Sequence, residues 1–219
     1  MKGVLEVARL QEMFRLGEGC TAAVIGDLCL DLYCIVNPSP GPVSIETGHA
    51  TRVVERWYSR LGGASNVAAN LKALGMGEVK IFGYVVDDMP GKEVLRLLED
   101  SGIAFEGITL APKEGHSTSV YTKLYTDGQE EPRIDLGSSV PPTEEQQDEL
   151  LAAIERSLQA VDILVINQQL DHGVHTDRFR SKLASLVSQS GMPPAIVDSR
   201  SYHEDFPTAI HKINDQEVL

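Results

Sequence analysis

Residues 61–75 read LGGASNVAANLKALG, and the reading of this stretch decides the fold. Glycine is favoured where the backbone takes a positive φ or where another group must approach it closely. Two glycines, Gly62 and Gly63, precede a run with helical spacing, in which Val67, Ala68, Leu71 and Leu74 share one apolar face. Gly75 stands where a left-handed residue ends a helix. The stretch is therefore a glycine turn feeding a helix N-terminus, with Ser65 and Asn66 near the first turn. Such an end presents free N–H groups and the positive end of the helix dipole, worth roughly 0.3–1 kcal/mol to a surface anion. Tight packing of helix against strand explains the same glycines, and the fragment alone leaves both readings open.

Working outward, strands and helices alternate. TAAVIGD at 21–27 has the profile of a buried strand ending at a functional edge, and EVKIFGYV at 78–85 that of the next one. Pro90 to Ser101 gives a helix stopped by Gly102. IAFEGITL at 103–110 and STSVYTKLYT at 117–126 alternate as strands do, and EPRIDLG at 131–137 can pair with the second across Asp127-Gly128. Thr143 and Gln146 form a capping-box-like start to a helix running to about Gln159. VDILVIN at 161–167 reads as a central strand, Thr176 to Ser190 as a helix, and Ala195–Asp198 and Ala209–Ile213 as further strands. This rhythm predicts βαβ units and a mostly parallel sheet. Residues 4–16 read as an amphipathic leader helix. Pro38, Pro40, Pro42, Gly41 and Gly48, followed by the strand-like TRVVERWYS at 51–59, interrupt the pattern. Residues 34–60 are therefore expected to form a small β insertion over the sheet edge, a candidate lid.

The chain has 219 residues, which suits one large α/β domain, and 42% are hydrophobic, enough for a sizeable core. A net charge of −13 argues against a nucleic-acid backbone or an anionic membrane as the main partner, while leaving room for a local basic pocket. Cys20, Cys29 and Cys34 do not pair evenly and lack zinc spacing, so they read as thiols in a reducing compartment. No apolar run approaches about 18 residues and the start lacks a signal-peptide pattern. The expectation is a soluble cytoplasmic protein.

Ligands of open α/β sheets bind beyond the carboxyl ends of the strands. That rule selects Asp27 and Asp31, Gly62 to Asn66, Asn167, Asp198 and Asn214. Asp27 and Asp31, four apart in GDLCLD just past a buried strand, could converge on sugar hydroxyls, or be a turn aspartate and a surface carboxylate. Asn214 and Glu217 in KINDQEVL suit a capping box and a metal–water relay alike. His172 and His175 have no Cys or acidic partner at ligand spacing and read as a loop pair. Trp57 and Tyr58 could stack on a sugar or simply pack the small sheet. No GxGxxG in a dinucleotide context, GxxxxGK[ST], GxSxG or HExxH occurs, which weighs against a nucleotide-cofactor oxidoreductase.

In order and spacing, VIGDLCLD, LGGASNVAANLKALG, FGYVVDDMPGKEVLRLLEDSGI and KINDQEVL resemble the ribokinase-like (PfkB-type) carbohydrate kinases, from about residue 21 to the last. With PRIDLG, the chain looks most like the heptose-7-phosphate kinase half of a bifunctional heptose kinase/adenylyltransferase. The resemblance implies a Rossmann-like three-layer α/β sandwich with a β lid, transferring the γ-phosphoryl of ATP to a sugar or sugar phosphate. It implies that residues 1–219 are the N-terminal part of one kinase domain, with the lid completed by strands near 117–137. Asp31 matches the family's sugar-hydroxyl aspartate, and Gly62, Gly63 and Asn66 its sugar-binding glycine pair and asparagine. Arg133 matches an arginine placed to contact a substrate phosphate. Asn214 and Glu217 match N-x-x-E, which helps hold Mg2+ and its waters near the triphosphate. A homodimer through the lid is likewise implied.

Departures are also present. Ile213 replaces the proline usual before the asparagine, and NQQLDHG at 167–173 replaces a DY-x-KG-like segment. The family's G-A-G-D, whose aspartate activates the sugar hydroxyl, is absent, and the chain ends two residues after Glu217. The resemblance therefore implies a fold truncated on its C-terminal side, with no catalytic residue in this chain and no turnover alone. The alternative is a catalytically silent sugar-binding or regulatory module.

Overall fold

The computed structural model describes residues 7–111, 117–137 and 140–215. In chain order the elements are α1 (Val7–Gly17), β1 (Thr21–Gly26), β2 (Leu28–Val36), β3 (Val54–Gly63), α2 (Ala64–Ala73), β4 (Glu78–Val86), α3 (Met89–Asp100) and β5 (Ala104–Ala111). There follow β6 (Val120–Thr126), β7 (Gln129–Glu130), β8 (Ile134–Leu136), α4 (Glu144–Leu158), β9 (Ile163–Gln168), α5 (Asp177–Val187), β10 (Ala195–Ser199) and β11 (Ile210–His211).

Six strands form a wholly parallel sheet in the order β11-β10-β9-β1-β4-β5. Its central strands are continuous apolar runs because both faces are covered. Along β1, Ala23 and Ile25 join a core with Leu150 and Ile154 of α4 and Phe179 and Leu183 of α5. Val24, on the opposite face, meets Ala64 and Ala68 of α2 and Val94 and Leu98 of α3. The result is a three-layer α/β sandwich of the kind the resemblance implies.

Local chemistry sets the boundaries. Thr143 and Gln146 form a reciprocal capping box at α4, and Thr176 caps α5 through Phe179 N–H. α2 ends in a Schellman turn: Gly75 takes φ 93°, and the N–H groups of Gly75 and Met76 reach the carbonyls of Lys72 and Leu71. The buried face of α2 differs from the expected stripe. Ala64, Ser65 and Ala68 are buried, whereas Leu74, at the C-cap, is 57% exposed. Small residues let this helix lie close on the sheet, and the larger Leu74 falls beyond the contact.

The second sheet is larger than residues 34–60. β2 begins at Leu28, pairs antiparallel with β3 and parallel with β6, and β6 carries β7 and β8. Asp127 and Gly128 turn the β6–β7 hairpin with φ 50° and 77°. One face of this sheet packs on α3 through Leu30, Leu61 and Val120. At its margin Ser59 Oγ donates to Glu93 Oε1 at 2.5 Å, and Arg96 Nε donates to Glu93 Oε2 at 2.8 Å. Hydrogen bonds from Arg96 first, then Ser59, pull the Glu93 carboxyl down to about 2. The unfolded value is about 4.3. The stabilisation is therefore complete above the unfolded value and is lost as pH falls through about 2. In urea titrations, the stability gap between the wild type and Glu93→Gln should narrow steadily from pH 5 to pH 2.5. A gap independent of pH would contradict this account.

Candidate functional site

The strand order reverses at β1, whose neighbours are β4, reached early in the chain, and β9, reached late. Ligands of open α/β sheets sit at such a switch point, beyond the carboxyl ends of the strands. Gly26 ends β1 there, and a Cβ on it would stand 1.9 Å from the Asn167 carbonyl oxygen. The next residue, Asp27, is buried. Its Oδ2 accepts from Gln169 N at 2.8 Å and Leu170 N at 2.9 Å, and its Oδ1 from Val174 N at 2.9 Å. This carboxylate is committed to the 169–174 loop, so Asp27 and Asp31 do not converge on a shared ligand. A Cβ at Gly173 would lie 1.9 Å from Asp27 Oδ1, so the loop follows the aspartate closely.

The glycine pair answers to the same crowding. Gly63, the N-cap of α2, holds φ 56° and ψ −136°, and a Cβ there would meet the Asp27 carbonyl oxygen at 2.4 Å. Its conformation lets Ala64 N–H donate to that oxygen at 2.8 Å. Ser65 Oγ donates to the Gly62 carbonyl at 2.6 Å. At Gly62 a Cβ would stand 2.7 Å from Cys29 Sγ and 3.1 Å from Asp31 Oδ1. The pair thus serves packing at Gly63, and at Gly62 it clears a floor beneath the Asp31 carboxylate. Asn66 is exposed on the first turn of α2.

Asp31 lies inside β2 rather than in a loop, in register with Arg60 of β3 and Tyr121 of β6. Its Oδ2 accepts from Lys123 Nζ at 2.6 Å, and the same ammonium donates to the Tyr33 hydroxyl at 3.1 Å. Lys123 is a residue that sequence reasoning missed; its one signal is the alternation Tyr121-x-Lys123-x-Tyr125, which puts all three on one face. Arg133 forks onto Asp135, Nε to Oδ1 at 2.5 Å and one terminal amine to Oδ2 at 2.7 Å, and lies 4.2 Å from the Tyr121 ring centre. Asp31, Gly62, Lys123, Tyr121 and Arg133 are therefore neighbours. Burial, then the charges of Asp31 and Asp27, push the Cys29 thiol up to about 12, which disfavours its thiolate.

Further along the carboxyl edge, Gln168 ties two loops together: Oε1 accepts from Ser199 Oγ at 2.8 Å and Arg200 N at 2.9 Å, and Nε2 donates to the Leu170 carbonyl at 3.0 Å. Asp198 accepts from Lys212 Nζ at 2.9 Å and from Asn167 Nδ2 at 3.4 Å. His175 is buried and donates from Nε2 to the Asn167 carbonyl at 3.1 Å, and burial lowers its pKa. Asn214 is exposed just past β11, three strand positions from β1, which is about 14 Å across a sheet. Asp31 stands in β2 of the second sheet. Glu217 lies outside the described residues. Tyr58 stacks on Tyr33 in the open face of the second sheet, while Trp57, on the alternate face, is exposed.

A family model described as pfkB family carbohydrate kinase matches residues 20–214. Bifunctional protein HldE of Paramagnetospirillum magneticum is 32% identical over 162 residues, covering 74% of this chain and 32% of that protein. The D-beta-D-heptose 7-phosphate kinase of Bordetella bronchiseptica is 32% identical over 186 residues, covering 82% of this chain and 54% of that one. The chain thus spans between a third and about half of these curated relatives. Among solved structures, Arabidopsis thaliana ribokinase complexed with ribose and ATP aligns with a TM-score of 0.57 at 18% identity, covering 82% of this chain and 53% of that chain. Giardia lamblia ribokinase aligns with a TM-score of 0.55 at 17% identity, covering 86% and 57%. A parallel sheet with a side sheet carrying Asp31 above a glycine floor, and a family match across nearly all described residues, lead to one assignment: the chain belongs to the pfkB family of carbohydrate kinases.

Proposed function

We propose that this chain is the sugar-binding portion of a kinase that transfers the γ-phosphoryl of ATP to a hydroxyl of a sugar or sugar phosphate, with Mg2+ accompanying the nucleotide. In this reading residues 1–219 belong to the N-terminal part of one kinase domain, and the second sheet is its lid. The observation that carries the proposal is the placement of Asp31 Oδ1 against the bare backbone of Gly62, with Lys123 holding the other carboxylate oxygen. A sugar seated on that floor can donate hydroxyl hydrogen bonds to Oδ1, and the hydrogen bond from Lys123 to Oδ2 orients the carboxylate. The amide of Asn66 reads a second hydroxyl from the edge of the floor. Arg133, steadied by Asp135 and Tyr121, contributes positive charge for a substrate phosphate.

Phosphoryl transfer depends chiefly on positioning and charge stabilisation, and the described residues do the positioning of the acceptor. Among them no three His, Cys, Asp or Glu side chains converge on a metal position. The role of Asn214 and Glu217 toward the metal and nucleotide rests on the family pattern alone.

Calorimetry tests the reading on the chain itself. Heptose 7-phosphate should bind the wild type, and Asp31→Ala should weaken it by at least about tenfold, the loss expected for a charge-assisted hydrogen bond. The variant must keep a native circular dichroism spectrum. Undiminished affinity in a folded Asp31→Ala chain would remove Asp31 from the site.

A further inference from the structure

The loop over residues 169–175 crosses the switch point and is anchored twice. The N–H groups of Gln169, Leu170 and Val174 converge on the Asp27 carboxylate. At the far end His175, 5% exposed, donates from Nε2 to the Asn167 carbonyl at 3.1 Å. Leu170, Gly173 and Val174 line a small cavity together with Gly26, Leu28 and Thr118. The loop thereby closes the carboxyl edge of β1.

The His175 anchor suits a neutral ring. Nε2 carries the hydrogen, because its partner is a carbonyl and can only accept. Nδ1 therefore keeps a bare lone pair, and it is buried without a hydrogen-bond partner. A proton arriving there creates a buried N–H with no acceptor, together with a buried positive charge. Two charged groups face the ring: Asp27, from the β1–β2 junction, favours the cation, and Arg180, from α5, opposes it. Both are already engaged, Asp27 by three loop N–H groups and Arg180 by Asp177, Asp205 and the His175 carbonyl. From α5 Phe179 also sets its ring edge-on to the imidazole, 5.9 Å away at 81°, and β9 offers only the uncharged Asn167 carbonyl. Burial outweighs the attraction of Asp27, so the ring's pKa lies below its ordinary value.

We propose that His175 is an acid-sensitive latch: a proton on Nδ1 releases the 169–175 loop from β9 and opens the carboxyl edge of β1. The opened loop exposes the imidazole to water, where it titrates near the ordinary histidine value of about 6.5. The closed loop holds the ring below that value, so the open form binds the proton more tightly. Closure is therefore fully favoured above about pH 6.5 and weakens as the pH falls below it. The latch is a property of the loop and holds whether or not a sugar occupies the site.

Amide hydrogen exchange on the full chain between pH 8 and pH 5.5, corrected for the intrinsic pH dependence of exchange, tests the latch. This window lies above the ordinary carboxylate values. Opening at Gln169, Leu170 and Val174 should rise by up to about tenfold at pH 5.5, one unit below the ordinary histidine value. His175→Gln keeps a donor near the position of Nε2 but cannot take up a proton, so its opening should stay flat. His172→Gln, in the exposed part of the same loop, should keep the wild-type rise. The imidazole resonances of the wild type supply a second reading that needs no variant: the His175 ring should be the neutral Nε2–H tautomer at pH 7. A flat wild type, or a rise in folded His175→Gln equal to that of the wild type, overturns the latch. So does a His175 ring that titrates at or above the ordinary value while the loop stays closed.

Discussion

Asp27→Ala should cost about 3 kcal/mol of stability or more, because three backbone N–H groups lose a charged acceptor inside the protein. Gln169, Leu170 and Val174 all donate to this one carboxylate. The backbone of Asp27 stays in place, since its N–H reaches the Asn167 carbonyl and its own carbonyl receives Ala64 N–H. The damage should therefore concentrate in the 169–174 loop. Urea unfolding reads the global term, and amide hydrogen exchange reads the local one, with protection falling first at Gln169, Leu170 and Val174. Asp27→Asn, which retains an acceptor oxygen but no charge, should fall between the wild type and Asp27→Ala. A loss below about 1 kcal/mol with unchanged exchange would show that water replaces the carboxylate readily. Such a result would undo the account of the aspartate as the organiser of that loop.

Gly63→Ala should cost roughly 2–4 kcal/mol, from two independent sources. At φ 56° and ψ −136° the backbone lies in a region that residues with a Cβ rarely enter. The added methyl would also meet the Asp27 carbonyl oxygen at 2.4 Å. Relief requires either moving α2 away from β1 or breaking the Ala64 N–H bond to Asp27. Both disturb the floor on which Asp31 rests, so under the proposed function affinity for the sugar ligand should fall together with thermal stability. Gly128→Ala supplies the contrast. Its φ is also positive, 77°, but nothing stands within 4 Å of the added carbon, so it bears the conformational cost alone. If the two variants melted together, steric crowding at the switch point would contribute nothing.

Much of the architecture is written locally. The apolar runs of β1, β4 and β9, the capping box at Thr143 and Gln146, the glycine stop at Gly75 and the Asp127-Gly128 turn are short-range patterns. Each has a mechanical cause within a few residues, so each is legible without knowledge of the fold. β2 is harder to read. In LCLDLYCIV, Leu28, Leu30, Leu32 and Cys34 recur at every second position as in a strand, but the Gly-Asp before it marks an edge, and no local feature shows that the chain leaves one sheet and enters another within a single residue. The Leu74 expectation fails for a related reason: periodicity names a helical face, while the neighbouring layer decides how far along the helix contact extends.

The candidate site divides in the same way. Gly62, Gly63, Asn66 and Asp31 stand out in the chain because their types and order carry the family pattern. Their partners do not. Lys123 meets Asp31 across 92 positions through the parallel register of β2 and β6, and Asp27 meets Val174 across 147. A carboxylate's chemistry is set by what fills its few hydrogen-bonding positions. Two aspartates four residues apart thus have opposite fates, Asp27 saturated by a distant loop and Asp31 left with one oxygen facing a glycine floor. The order of residues establishes which groups are available and which segments fold as strand or helix. Which carboxylate remains open to a ligand depends on contacts between segments far apart in the chain, and those exist only once each sheet has brought its distant strands side by side.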